Sequence, residues 1–147
     1  TLSLVFGYID MEDAPTTLEW VIIKQHKPKP QRVYGCGVDD GMFWHYGIHN
    51  GLQRVEQFST GSNYYEPIAG TGIRIKKPGI YFMGAYKYKS TKKGSFFSGD
   101  GARFRMIRIK SPSEKSLLKR LLKEFKGDEK RLYRQIKMVK MRLRELG

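Results

Sequence analysis

Over the first 110 residues the apolar positions fall in short runs of period about two, interrupted repeatedly by Gly, Pro and polar clusters. Leu2-Ser3-Leu4-Val5-Phe6-Gly7-Tyr8-Ile9 and Leu18-Glu19-Trp20-Val21-Ile22-Ile23 are rich in strand formers. They predict two buried strands on either side of the breaker Asp13-Ala14-Pro15. Lys27-Pro28-Lys29-Pro30 predicts a loop or an edge, because proline has no amide to donate to a ladder. Residues 42–46 and 52–58 are weaker strand candidates, and Ser59-Thr60-Gly61-Ser62-Asn63 reads as a polar loop. Residues 72–75 and 80–89 flank Lys76-Lys77-Pro78-Gly79. Pro-Gly there suits the centre of a type II turn, so this stretch predicts a hairpin. Breakers at Gly94 and Ser98-Gly99-Asp100-Gly101 then lead into a last strand over residues 103–109. About seven or eight strands at this spacing predict a sandwich or barrel.

Beyond residue 110 the period becomes helical. Ser111-Pro112-Ser113-Glu114 fits a capping box, with Ser111 accepting from the N3 amide, Pro112 at N1 and Glu114 reaching back. Leu117, Leu118, Leu121, Leu122 and Phe125 form an apolar stripe, and Gly127-Asp128 supplies a stop and a new start. Leu132, Ile136, Val139, Leu143 and Leu146 recur at four-three spacing, a short heptad seam. The segment predicts a helix, a turn and a longer helix. No internal repeat or low-complexity stretch is visible.

A length of 147 residues suits one globular unit with an appendage, here a body over 1–110 and a tail over 111–147. The net charge of +14 calls for an anionic partner, and its distribution sharpens the point. Residues 1–70 carry a net −3, and the remaining 77 carry +17. No apolar run of about 18 residues is present to span a bilayer, and the start lacks a signal-peptide pattern. The chain opens at Thr1 rather than Met, which points to a processed or truncated start. A single cysteine, Cys36, excludes an internal disulfide and suits a reducing compartment. These features predict a soluble, intracellular protein.

The basic residues fall in three groups. Lys87 and Lys89 alternate with Tyr86 and Tyr88, while Arg103 and Arg105 share one face of the last strand. Interleaved cations and rings can grip phosphates and stack bases. Arg108 and Lys110 have the opposite parity to Arg103 and Arg105. Either both faces are wetted or, the preferred reading, a bulge intervenes at Met106-Ile107. The tail carries Lys115, Lys119, Arg120, Lys123, Lys126, Lys130, Arg131, Arg134, Lys137, Lys140, Arg142 and Arg144 against five acids, a net +7. Such a face attracts nucleic acid through counterion release, strongly, salt-sensitively and without regard to sequence. The competing readings are a solvated sheet face for the strands and a partner-packing helix with a charged back for the tail. Both uses of the tail can coexist if its seam docks on the body or on a neighbouring subunit. A membrane-surface role ranks lower, since the tail has no Trp and only Phe125 and Tyr133 as aromatic residues.

Catalytic and metal chemistry have little to build on. His45 and His49, with Cys36 upstream, would share a zinc only on a helix, which Gly41, Gly47 and Gly51 oppose, and no fourth ligand stands out. Glu12-Asp13 and Asp39-Asp40 read as turn residues, because neighbours on a strand point to opposite faces. No nucleophile elbow, phosphate loop or metalloprotease motif is present. The expectation is a protein without enzymatic activity, metal or cofactor.

Several segments resemble single jelly-roll capsid proteins of small viruses, especially those with circular single-stranded DNA genomes. They are Phe6-Gly7-Tyr8-Ile9-Asp10, Thr17-Leu18-Glu19-Trp20-Val21-Ile22-Ile23, Tyr65-Glu66-Pro67 with Gly70-Thr71-Gly72, and Lys92-Lys93 with Phe97-Ser98-Gly99-Asp100. The resemblance covers most of residues 1–110 and implies a subunit that packs into a virion shell and turns positive charge toward a packaged genome. That family's basic arm is N-terminal, so here the tail would do the arm's work. Ile75-Lys76-Lys77-Pro78-Gly79-Ile80-Tyr81-Phe82 is also similar to trimeric jelly rolls of the tumour-necrosis-factor and complement-head type, which implies a receptor or surface-binding head. A ribosome-associated or chromatin-type binder is the third reading, and it rests on charge alone.

The combined expectation is an all-β, jelly-roll type sandwich with a basic two-helix tail, self-associating into a homo-oligomer or shell. It would bind single-stranded DNA or RNA backbone through Lys87, Lys89, Arg103, Arg105 and the tail.

Overall fold

The computed structural model describes residues 2–11, 17–60, 63–65, 71–90 and 104–147. The described chain is mostly β, with two helices at its C-terminal end. The strands are β1 (Ser3–Asp10), β2 (Trp20–Lys27), β3 (Val33–Asp39), β4 (Met42–Ile48), β5 (Gly51–Thr60), β6 (Asn63–Tyr65), β7 (Thr71–Ile75), β8 (Ile80–Ser90) and β9 (Phe104–Ile109). Helix α1 (Glu114–Phe125) runs into a single 3-10 turn, Lys126–Asp128, and α2 (Tyr133–Leu146) follows.

The strands form one curled, mixed sheet in the order β6-β5-β2-β3-β4-β1-β8-β9, with β7 also pairing β5. Neighbours are antiparallel except β1 and β8, which run parallel. The β3–β4 connection is a tight Asp40-Gly41 turn with φ of 46° and 81°. That is the type I′ geometry, where Asp and Gly tolerate a left-handed backbone.

Three local expectations are corrected. The segments around Pro78-Gly79 do not form a hairpin, because β7 pairs with β5 and β8 with β1. Gly79 also lacks the positive φ of a type II turn. Instead the corner is tied to the start of β1, since the Gly79 amide donates to Ser3 Oγ at 3.1 Å and the Leu4 amide to the Gly79 carbonyl at 3.0 Å. The helix cap falls at Ser113, whose side chain accepts from the Ser116 amide at 3.1 Å. Glu114, expected to close a capping box, is taken by Arg142 on α2 at 2.9 and 3.1 Å. Finally, β8 and β9 keep an unbroken register from Ala85↔Ile109 to Ser90↔Phe104, so no bulge interrupts Met106-Ile107. The opposite parity of Arg105 and Arg108 therefore puts basic positions on both faces of β9.

Two cores follow from this wrapping. Inside the curl, Val5, Ile9, Val21, Ile23, Cys36, Phe43, Val55, Phe58, Met83 and Tyr88 pack together. Against the outer face of β1 and β4, Leu4, Phe6 and Met42 meet Leu117, Leu118, Leu121, Phe125, Ile136 and Val139 of the helices. The apolar stripes of both helices are thus spent on the sheet and on each other. Each fully buried Leu or Phe there contributes about 1.5–3 kcal/mol of transfer free energy.

Arg142 clamps this layer by bonding Glu114 of α1 and Glu145 of its own helix, and these bonds hold its guanidinium charged more firmly than usual. Glu114 is only 19% exposed. Arg142→Ala should therefore cost about 1–2 kcal/mol in denaturant unfolding, below the penalty for breaking a fully buried pair. A change in midpoint within error would show that the clamp contributes nothing.

Candidate nucleic-acid interface

With their seams buried, α1 and α2 turn their other sides outward. Lys119 and Lys123 on α1 and Lys126 at its C-cap follow at near one-turn spacing, and Lys137, Lys140 and Arg144 do the same on α2, all exposed. Lys130 and Arg134 are exposed at the bend and the start of α2. None of these eight side chains has an acidic partner among the described residues. Lys137 instead lies 5.4 Å from the centre of the Tyr133 ring.

The other tail cations are engaged. Lys115 donates to the Gly147 carbonyl at 2.9 Å, and Arg131 to Asp128 at 2.6 Å. Arg120 donates to the carbonyls of Asp39 and Asp40 at 2.9 and 3.4 Å, which ties α1 to the β3–β4 turn. Arg120, expected from the sequence to meet phosphate, is therefore a fold contact here. Nearby, partial burial raises the pKa of the Tyr8 hydroxyl, and the charges of Asp10 and Asp40 add to the effect.

The strand residues expected to act together separate onto two faces. Lys87 and Lys89 sit opposite Ile107 and Arg105, while Tyr86 and Tyr88 sit opposite Arg108 and Met106. Tyr88 is fully buried, with its ring edge-on to Phe58 at 6.1 Å. It builds the core and offers no stacking surface. Tyr86 is half-buried, bonds the Met83 carbonyl and lies 6.0 Å from the Arg108 guanidinium. Lys89 is exposed, Lys87 half-buried, and Arg103 lies outside the described residues.

His45, His49 and Cys36 do not converge either. Both histidines flank Tyr34, His49 by a 3.0 Å bond to its hydroxyl, while His45 bonds the Gly35 carbonyl at 3.1 Å. Cys36 is buried in the inner core. No group of three or more potential metal ligands occurs among the described residues.

Burial alone pushes the Cys36 thiol from 9.0 up to about 12. The folded chain keeps a proton that the unfolded chain loses above its ordinary thiol pKa. Stability from the neutral thiol is therefore intact below pH 9.0 and falls as pH rises toward about 12. Cys36 should resist a thiol reagent at pH 8 and react fully in denaturant, a difference that a colourimetric thiol assay reads.

A cleft of about 550 Å³ opens where β3 and β4 diverge beyond their pairing at Val38↔Phe43 and Asp39↔Met42. Its walls include Gly35, Gly37, Trp44, His45, Glu124, Arg131 and Gln135. Gln135 is 8% exposed, and its amide oxygen has no partner among the described residues. Trp44 packs edge-on against Phe125 at 4.8 Å, which fixes the helix side of the cleft.

No family model matches the chain, and comparison with curated proteins and with solved structures gave no match. Among the described residues no helix is long and apolar enough to cross a membrane.

Proposed function

We propose that this chain is a non-enzymatic nucleic-acid-binding protein whose helical layer meets the phosphate backbone without regard to sequence. One observation carries the reading: the apolar seams of α1 and α2 are consumed by packing, and an outward row of Lys and Arg without acidic partners among the described residues remains. A helix pair kept only for packing would be expected to balance that face with acids, whereas its exposed acids, Glu124, Asp128, Glu129 and Glu145, are outnumbered, and Asp128 and Glu145 are already taken by Arg131 and Arg142. Such a surface positions a protein on phosphates and leaves base identity unread.

The test is fluorescence anisotropy with labelled oligonucleotides of unrelated sequence, titrated from about 50 to about 200 mM salt. Affinity should be similar for all sequences and fall steeply and linearly on logarithmic axes. Absence of binding at the lowest salt would overturn the proposal.

The finer jelly-roll and shell reading rests on the sequence resemblance. A parallel β1–β8 pair and the consecutive neighbours β2-β3-β4 lend no support to two antiparallel Greek keys. Self-assembly is a separate expectation, read by light scattering on the purified chain. Large particles that absorb strongly at 260 nm would favour a shell. A clean trimer without nucleic acid would favour the surface-binding head.

A further inference from the structure

The helices cover the outer face of β1 and β4, and among the described residues nothing packs over the outer face of β2, β5 and β7 or the adjoining part of β3, a face with its own chemistry. Trp20 stands on it at 55% exposure and Val33 at 62%. In the β2–β3 pair, Trp20 lies opposite Gly37 and Ile22 opposite Gly35. Among the described residues a side chain at Gly37 would meet nothing within 4 Å, and one at Gly35 would touch only the Trp20 ring, at 4.0 Å. The indole therefore borders a strip of backbone over which no described side chain lies.

A cation row crosses the same face. Lys24 is directly opposite Arg54, and Arg54 is opposite Gly72, with Arg74 one diagonal step away. A side chain at Gly72 would come within 3.0 Å of Arg54 Cγ and 3.7 Å of its Cδ, so the stem of Arg54 lies over Gly72 on β7. Like charges facing each other across strands are unfavourable unless an anion lies between them. No acid pairs with Lys24, Arg54 or Arg74 among the described residues, and Glu56 on β5 is held by His26 at 2.9 Å. An exposed ring and, four residues further along the same strand face, a row of cations are the elements that bind single strands.

We infer that the bare face of β2-β3-β5-β7 is a platform for single-stranded nucleic acid, with a base stacked on Trp20 and phosphates on Lys24, Arg54 and Arg74. This deepens the proposed function and rests on it. Gly35 and Gly37 also line the cleft that holds Arg131, so the platform continues toward the basic end of the helical layer. The helical face attracts any phosphate backbone. The platform needs an unstacked base, so it makes binding selective for single strands over duplex.

The test uses the full chain and two labelled probes of equal length, an oligo-dT and a mixed-sequence duplex. Trp20→Ala should weaken oligo-dT binding on the order of 10-fold and leave the duplex affinity unchanged, and Trp20→Phe should restore most of the loss. Arg54→Gln should reduce the salt slope for oligo-dT by about 0.7. In a Trp44→Phe background Trp20 is the one remaining tryptophan, and oligo-dT should quench its emission, a readout that leaves the platform intact. Unchanged affinity in Trp20→Ala together with no quenching would overturn the platform while leaving the helical reading standing. Quenching by phosphatidylserine vesicles and not by oligo-dT would also overturn it, in favour of a membrane surface. If glutamine at the helical lysines left both probes bound as before, the proposed function itself would fail.

Discussion

Replacing Lys119, Lys123, Lys126, Lys130 and Lys137 together by glutamine will lower affinity for nucleic acid of any sequence on the order of 10²-fold at low salt. It will also flatten the salt dependence, by about 0.7 in slope for each phosphate no longer neutralised on a single strand, or about 0.9 on duplex. All five side chains are exposed and lack acidic partners among the described residues, so their removal leaves the packing of α1 and α2 untouched. Glutamine keeps helix propensity close to that of lysine, which separates loss of charge from loss of structure. Arg120 is left in place because it holds the β3–β4 turn. Unchanged affinity and slope, with an unchanged melting curve, would make the helical layer a packing element only.

Phe125→Ala will destabilise the protein by about 3–5 kcal/mol in chemical denaturation. The ring is fully buried, lies edge-on to Trp44 and closes the layer between α1 and the sheet, so truncation leaves a cavity that the surrounding strands cannot collapse to fill. Deleting residues 111–147 should be worse still, since it uncovers Leu4, Phe6 and Met42 on the outer face of the sheet. The expected product is aggregated or unfolded, and a soluble, cooperatively melting 1–110 fragment would show that the helices are a dispensable tail. A cost below about 1 kcal/mol for Phe125→Ala would point the same way.

Most strands were legible because alternation survives in them. Segments 42–46, 52–58, 72–75 and 80–89 all fall within strands, and Leu117 to Phe125 lies on a helix as its spacing predicts. β3 was missed for a local reason. In Tyr34-Gly35-Cys36-Gly37-Val38 the outward positions are glycines, so the polar half of the alternation is blank and the run reads as irregular. Ser59-Thr60 read as a loop from polarity, yet both are buried at the end of β5.

The exposure of the helical cations was legible in the sequence, whereas the burial of Tyr88 among the strand residues was not. A cation count over residues 111–147 needs no knowledge of neighbours, because exposed Lys and Arg follow from the seam they flank. Tyr88 and Trp20 needed such knowledge. Both are aromatic residues in strand-like runs, but Tyr88 points inside the curl and Trp20 onto an uncovered face. The alignment of Lys24, Arg54 and Arg74 is a property of register, and they lie far apart along the chain.

The amino-acid sequence alone therefore determined what depends on near neighbours: the β-rich composition, the two amphipathic helices, the charge asymmetry and the absence of a disulfide within these 147 residues. Tertiary structure decided which strands pair, that β1 and β8 run parallel, that the helical seams close on the sheet, and which sheet face stays bare. The physical reason is range. Periodicity and capping act over a few residues, whereas pairing and docking are settled by which distant apolar faces bury the most surface together.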